Sequence, residues 1–188
     1  VIKVMTTFRS GTTKDWPTAT YPALLRYRYR VFIEKLGWDL RASDGMESDQ
    51  FDRDDTVHVA SHDRAGNINA YSRLLPTVKP YLLAEVFPEL MDGGHLPCCD
   101  KTWELSRFTA HSADGACKPE GGTYFSPAAV ALLHKSVIAA RERGADNLIF
   151  VSSPGMATLM ARADFNVQRI GNPQVIGGHR VLAARILF

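Results

Sequence analysis

Apolar residues change their spacing several times along this chain, and each change marks an element. Leu24, Leu25, Tyr29, Phe32 and Leu36 recur at helical spacing. They predict a helix over 22–36, opened by Pro22 and ended by Gly37. Ahead of it, residues 1–9 alternate apolar and polar and are expected to form a strand rather than a secretory leader. Residues 39–55 lose all periodicity and predict a long polar loop. Alternation returns over 56–62 and 68–75, with turn chemistry at 63–67, which predicts a β-hairpin. Pro76 and Pro80 break that pattern, a short helix holding Phe87 is expected over 81–90, and a strand over 102–110. After a glycine-containing loop at 111–124, Ser126-Pro127 supplies an N-cap and first turn for a helix reaching Arg143 and closed by Gly144. A short apolar strand (147–152), a helix opened by Ser153-Pro154 and ending near Ala163, and strand-like runs at 166–170 and 179–187 follow. The expected class is α+β, a mostly antiparallel sheet with helices packed on it, in one domain over 1–188.

Bulk properties narrow the field without choosing a function. With 188 residues, 45% hydrophobic and 22% charged, the chain suits one sizeable core. No stretch reaches the roughly 18 apolar residues that cross a bilayer, so no membrane is expected. A net charge of +2 does not by itself imply nucleic acid. Cys98, Cys99 and Cys117 make neither a disulfide framework nor a zinc spacing. They read as reduced thiols of a cytoplasmic protein, and no metal is expected.

Charge is unevenly placed. The loop at 39–55 carries Asp39, Asp44, Glu47, Asp49, Asp52, Asp54 and Asp55 against only Arg41 and Arg53. A solvated acidic loop is the plain reading, but Trp38, Met46 and Phe51 are interleaved with it. Carboxylates beside aromatic and thioether groups suit a ligand that is cationic and partly apolar. Arg28, Arg73 and Arg107 sit on predicted regular elements. They read either as structural ion pairs or as a clamp on a substrate carboxylate. Glu104 and Arg107 are three apart on one strand and point to opposite sides unless a bulge redirects one. Glu104 is a candidate general base, or a salt-bridged core carboxylate.

Four segments match one pattern in order: RYRVFIEKLGW at 28–38, GMESDQFD at 45–52, SRLLPT at 72–77 and WELSRF at 103–108. Together they resemble the LuxI-type acyl-homoserine lactone synthases, over about residues 24–163. The resemblance implies an α/β/α sandwich like the GCN5-related N-acetyltransferases. It also implies acyl transfer from acyl carrier protein to the amine of S-adenosylmethionine, then lactone closure with loss of methylthioadenosine. S-adenosylmethionine is then a substrate, and no cofactor is expected. The implied catalytic positions are Glu104, Arg107 and Asp49. Those around S-adenosylmethionine and its electrostatic cluster are Arg28, Phe32, Trp38, Met46, Asp52, Arg73 and Phe108, with residues 20–55 as lid and loop. Backbone groups or Asp49 remain alternatives to Glu104 as the base.

A dry acyl tunnel is expected from Phe87, Val137, Leu148, Phe150, Met156 and Leu159, with Val130, Leu133 and Ile138 beside them. Relatives that prefer a 3-oxo chain carry Thr where this chain has Phe150. That difference argues for an unsubstituted chain of medium length such as octanoyl. Lys135, Arg141, Arg143, Arg162, Arg169 and Arg180 give the C-terminal half a basic character suited to an acidic carrier protein. Two rivals stand beside this reading. An acetyl-CoA N-acetyltransferase should carry a Q/R-x-x-G-x-G/A loop, and only Gly121-Gly122 precedes the helix at 126. A non-catalytic ligand-binding module is the other.

Overall fold

Leu24, Tyr27, Arg28, Val31 and Phe32 are buried, a stripe at i, i+3, i+4, i+7 and i+8 that presses one helix face onto a sheet. The computed structural model describes residues 7–110 and 126–188. The N-terminal strand is β1, Thr7–Thr12, so the expected strand at 1–9 is placed only from residue 7. The stripe lies on α1, Tyr21–Arg28, which runs straight into a π-helical segment, Tyr29–Lys35. The expected helix over 22–36 is therefore corrected in its second half, where the turns widen. Leu36 N–H, for example, donates to the Val31 carbonyl five residues back, at 3.0 Å. Such widened turns are rare and gather at functional sites. Gly37, at φ +67, lets the chain turn out of the helix.

The loop expected over 39–55 is also corrected. It contains a small hairpin, β2 (Ala42–Ser43) against β3 (Met46–Glu47). Asp44 and Gly45 both have positive φ, as a two-residue hairpin turn requires.

β4 (Val57–His62) and β5 (Ile68–Pro76) form the expected hairpin. α2 spans only Leu82–Val86, because Pro88 breaks the helix expected over 81–90 and a 3-10 turn, Pro88–Met91, follows. Next come β6 (Thr102–Thr109), α3 (Pro127–Arg141), β7 (Asn147–Ser152) and α4 (Pro154–Arg162). β8 (Asn166–Arg169), β9 (Gln174–Ile176) and β10 (His179–Leu187) end the chain. Both predicted caps are present: Ser126 and Ser153 accept the N–H of Ala129 and Met156, at 3.1 and 3.3 Å.

The main sheet has the order β1-β4-β5-β6-β7-β10-β8, with β9 beside β10. Every pairing is antiparallel except β6 with β7. α1 and α2 cover one face, and α3 and α4 the other, in an α/β/α sandwich.

Two irregularities position the site. The β6–β7 ladder ends at Glu104 opposite Ile149, although β6 runs on to Thr109 and β7 to Ser152. The strands part there, in the middle of the sheet. Along β5–β6, Arg73 faces Ser106 but Tyr71 faces Thr109. β6 therefore carries one extra residue, a β-bulge. Arg107 lies in it at φ +51. Left-handed backbone at a non-glycine residue costs on the order of 1–3 kcal/mol and persists only where its surroundings hold it.

Candidate active site

Three arginines and three carboxylates close a ring of alternating charge on the face covered by α1. Arg28 donates to Glu47 at 2.6 Å and to both oxygens of Asp52 at 2.7 and 2.9 Å. Arg73 donates to Asp52 at 3.0 Å and to both oxygens of Asp49 at 2.6 and 3.0 Å. Arg107 donates to Asp49 and Glu47, each at 2.9 Å. Arg28, Arg73 and Glu47 have no exposure, while Asp49 and Arg107 form the more open end.

Local sequence explains how the ring assembles. The Asp44-Gly45 turn sends Glu47 inward toward the helix. Asp49 N–H donates to Asp52 at 2.9 Å, and Phe51 N–H to Asp49 at 2.9 Å, which folds 49–52 into a tight turn. Arg28 reaches inward from the buried stripe of α1. The bulge resolves the orientation problem of β6: it turns Arg107 to the face that also carries Glu104 and Arg73.

These contacts correct the idea that free acidic side chains wait for a cationic ligand. Glu47, Asp49 and Asp52 are each paired with two guanidiniums, and Arg28 and Arg73 are likewise committed. Burial alone raises the Asp52 carboxyl, but Arg28 and Arg73 outweigh it and hold it well below the usual carboxylate range. Burial opposes the ionisation of Glu47 too, and Arg28 and then Arg107 overcome it. From the sequence Glu47 is only one of the carboxylates of the 39–55 loop. Its place two residues past an Asp-Gly turn was the available signal.

Glu104 stands apart from the ring on the same face. It is fully buried, and its two oxygens accept the N–H groups of Leu82 and Leu83, each at 2.7 Å. Burial pushes its carboxyl up to about 7, against those two N–H bonds and Arg73, which favour the charged form. A group poised there exchanges a proton near neutrality.

Above Arg107 lies an aromatic pair. Phe32 and Trp38 stack with centroids 4.9 Å apart, and the Arg107 guanidinium sits 5.6 and 6.0 Å from the two rings. Trp38 remains 46% exposed, so its ring is open to a ligand. Met46 is half-buried on β3. Phe108 is half-buried against the core on the far face, under α3, and does not join the ring.

The expected tunnel residues divide between layers. Val137, Leu148 and Phe150 are buried under α3 and α4, with Met156 packed against them. Leu159 is half-buried on α4, and Ile138 is 45% exposed at the surface of α3. Phe87 is corrected, since it packs with Phe51, Leu75 and Leu83 on the opposite face. Cys98 and Cys99 are exposed free thiols, and Cys117 lies outside the described residues. No helix is long and apolar enough to cross a membrane among the described residues.

A second buried network braces the site. His58 Nδ1 is 2.8 Å from the Tyr71 hydroxyl, and Nε2 is 2.9 Å from the Thr13 hydroxyl. Burial drives the His58 pKa down from 6.5 to about 3. The folded chain therefore resists a proton that the unfolded chain binds below 6.5. The stability His58 contributes is full above that pH and is lost as pH falls toward 3. Glu104 acts oppositely over part of this range, because its raised value favours the folded state in acid. The clean readout is the stability gap between the parent chain and His58→Gln, by urea unfolding at several pH values. That gap should narrow from pH 7.5 to 5, and a constant gap contradicts the assignment.

Comparison with known proteins places the chain in a family. The family model described as autoinducer synthase matches residues 17–187. The acyl-homoserine-lactone synthase of Acinetobacter nosocomialis is 40% identical over 94% of this chain and 97% of its own length. TofI, crystallised in a ternary complex with an inhibitor and MTA, superposes with a TM-score of 0.81. Its identity is 39%, over 96% of this chain and 90% of TofI. An acyl-CoA N-acyltransferase from Pseudomonas aeruginosa shares the fold at a TM-score of 0.66 and 17% identity, over 96% of this chain and 99% of its own. The chain belongs to the autoinducer synthase family, the acyltransferases that make acyl-homoserine lactones.

Proposed function

We propose that this chain transfers a medium-length acyl group, octanoyl being the reference, from acyl carrier protein to the amine of S-adenosylmethionine and then closes the lactone. The observation that carries this is the bulge at Arg107. It brings the open end of the charge ring to the side of Glu104, where β6 and β7 part. TofI was solved with MTA, and methylthioadenosine is the by-product this reaction releases.

S-adenosylmethionine arrives with a sulfonium, an ammonium and a carboxylate. The open face of Trp38 suits the sulfonium. Arg107, at the open end of the ring, suits the carboxylate. The ammonium must lose a proton before it can attack a thioester. Glu104, poised near neutrality, accepts it directly or through a water. The amine then adds to the thioester carbon. Backbone N–H groups that the end of the β6–β7 ladder leaves without a cross-strand partner suit the oxyanion. The thiol leaves with its proton as the amide forms. The methionyl carboxylate then displaces the sulfonium carbon from sulfur, giving the lactone and methylthioadenosine. Orientation does most of the work in this second step, because the leaving group is already activated.

The parting of β6 and β7 gives the acyl chain a route into the α3–α4 layer. Phe150 is the first residue of β7 past the last paired position and belongs to that layer. Its ring offers no donor to an oxo group, which argues against a 3-oxo chain. Lys135, Arg141, Arg162, Arg169 and Arg180 are exposed and Arg143 half-buried, a basic character suited to an acidic carrier. The acyl-CoA donor is the second reading, favoured by the fold shared with an acyl-CoA N-acyltransferase.

The test supplies S-adenosylmethionine with octanoyl carrier protein or octanoyl-CoA and follows lactone and methylthioadenosine by mass spectrometry. Equal amounts of both products, with higher kcat/KM from the carrier, are expected. Raising salt from 50 to 300 mM should weaken apparent carrier affinity several-fold (about 3–10). Faster turnover with CoA overturns the donor assignment, and absence of lactone from both overturns the function.

A further inference from the structure

One pair of polar groups lies where the acyl layer has no structural need of it. Ser72 on β5 and Ser136 on α3 are both fully buried, and their hydroxyls are 2.8 Å apart. The layer they belong to is built from apolar residues, Val57, Val59, Leu74, Leu105, Leu132 and Leu133 among them. Two hydroxyls here are costlier to bury than two methyl groups, so their retention asks for a reason.

The contacts around the pair favour one arrangement of its hydrogens. Ser136 lies 2.8 Å from the Leu132 carbonyl, which can only accept, so the Ser136 hydrogen is donated there. The bond between the two serines then needs the Ser72 hydrogen. Both donors are spent, and lone pairs remain on both oxygens. In that arrangement the pair offers acceptor capacity only. It can receive an O–H as it stands, whereas giving a hydrogen to a carbonyl means turning the Ser72 hydroxyl away from Ser136 and losing that bond.

Position links this pair to the acyl route. Leu105 and Phe150 are the first residues past the end of the β6–β7 ladder. Leu74 stands opposite Leu105, and Ser72 lies two residues further along the same face of β5, opposite the bulge. On its other side Ser72 pairs with Val59. Val59 lines a surface groove together with Phe8, Ser10, Lys135, Ile138 and Glu142. The hydroxyl pair thus sits between the gap where an acyl chain would enter and a groove that opens the same layer at the β1 edge.

We propose that the Ser72–Ser136 hydroxyl pair is a selectivity element for the acyl donor, accepting a hydrogen bond from a chain that carries a hydroxyl, in preference to a chain with an oxo group. The proposal rests on the acyl-transfer reading and narrows it. Phe150 speaks only against the oxo group, whereas the serine pair distinguishes hydroxyl from oxo by donor count.

The experiment measures kcat/KM for octanoyl, 3-hydroxyoctanoyl and 3-oxooctanoyl carrier protein with the unaltered chain, Ser72→Ala and Ser136→Ala. In the unaltered chain the hydroxyacyl donor should exceed the oxoacyl donor about tenfold or more. In each variant that ratio should fall to within about twofold. A ratio taken within one protein cancels any general loss of folded enzyme. If neither variant folds, the unaltered chain alone decides. Equal use of hydroxyacyl and oxoacyl donors, a preference for oxo, or a ratio unchanged in both variants overturns the proposal. Lactone from octanoyl with no hydroxyl preference defeats this proposal alone, whereas no lactone from any donor defeats the acyl-transfer reading beneath it.

Discussion

Asp52→Ala should destabilise the folded chain by about 3–5 kcal/mol, the cost of stranding buried charge. Asp52 holds both outer nitrogens of Arg28 and one of Arg73. Without it Arg28 keeps only Glu47, and two of its N–H groups face the interior unpaired. The side chains of Arg28 and Asp52 are 0% and 4% exposed, so solvent does little to screen or replace the lost bonds. For a domain of this size the loss corresponds to roughly 6–20 °C in melting temperature. Thermal unfolding by circular dichroism measures it. The internal control is Asp54→Ala, which removes an exposed pair with Lys14. That change should leave the melting temperature essentially where it was. Equal effects from the two variants would show that the ring does not hold the loop.

Glu104→Gln carries the largest expected effect on rate. Removing a positioned base typically costs about 10²–10⁴ in turnover, and Gln cannot take up the ammonium proton. It also retains one oxygen where Glu104 offers two to Leu82 and Leu83, so α2 loses one of its anchors. Two readouts separate these effects. S-adenosylmethionine affinity by calorimetry should change less than threefold or so if Glu104 acts mainly as a base. The pH profile of the unaltered chain should rise through about 7, where Glu104 ionises, and level off above it. The base is needed in its charged form, so acid removes activity while the fold still stands. A profile flat from pH 6 to 8, or loss of binding with unchanged turnover per bound complex, reassigns Glu104 to holding α2.

Much of this site could be read before the fold was known. Glu104, Arg107, Asp49, Asp52, Arg28 and Arg73 were all marked, and all but Glu104 meet in one ring, with Glu104 on the same face. What the sequence leaves open is their pairing, since structural ion pairs and a substrate clamp fit the three arginines equally well. A run of carboxylates reads as a solvated loop or a cation site, because spacing alone does not show that three buried guanidiniums neutralise it. Glu47 reads only as one more carboxylate of that loop for the same reason, although the Asp44-Gly45 turn before it is a recognisable hairpin signal. The three-residue offset from Glu104 allows either opposite faces or a bulge, and the extra residue at Arg107 can be located only against Tyr71 and Arg73 of the neighbouring strand.

Elements with caps and strong periodicity were the most legible. α3 and α4 begin at the serines expected to cap them, because Ser-Pro satisfies the first turn locally. The helix over 22–36 was legible as a face but not as a π-helical segment, since widening the turns leaves the apolar stripe almost unchanged. The helix expected over 81–90 stops at Val86 because Pro88 cannot continue it. Phe87 lies in the other layer for a further reason. An apolar side chain declares that it avoids water, and topology alone decides which of two layers receives it.

A crystal structure with S-adenosylmethionine and a non-reactive acyl-pantetheine analogue tests the central claim most directly. The account expects the amine within hydrogen-bond reach of Glu104, about 2.6–3.2 Å or through one water. It also expects the carboxylate against Arg107 and the acyl chain passing between β6 and β7 beside Phe150. An amine on the far side of the charge ring, or an acyl chain that avoids the gap between those strands, contradicts it.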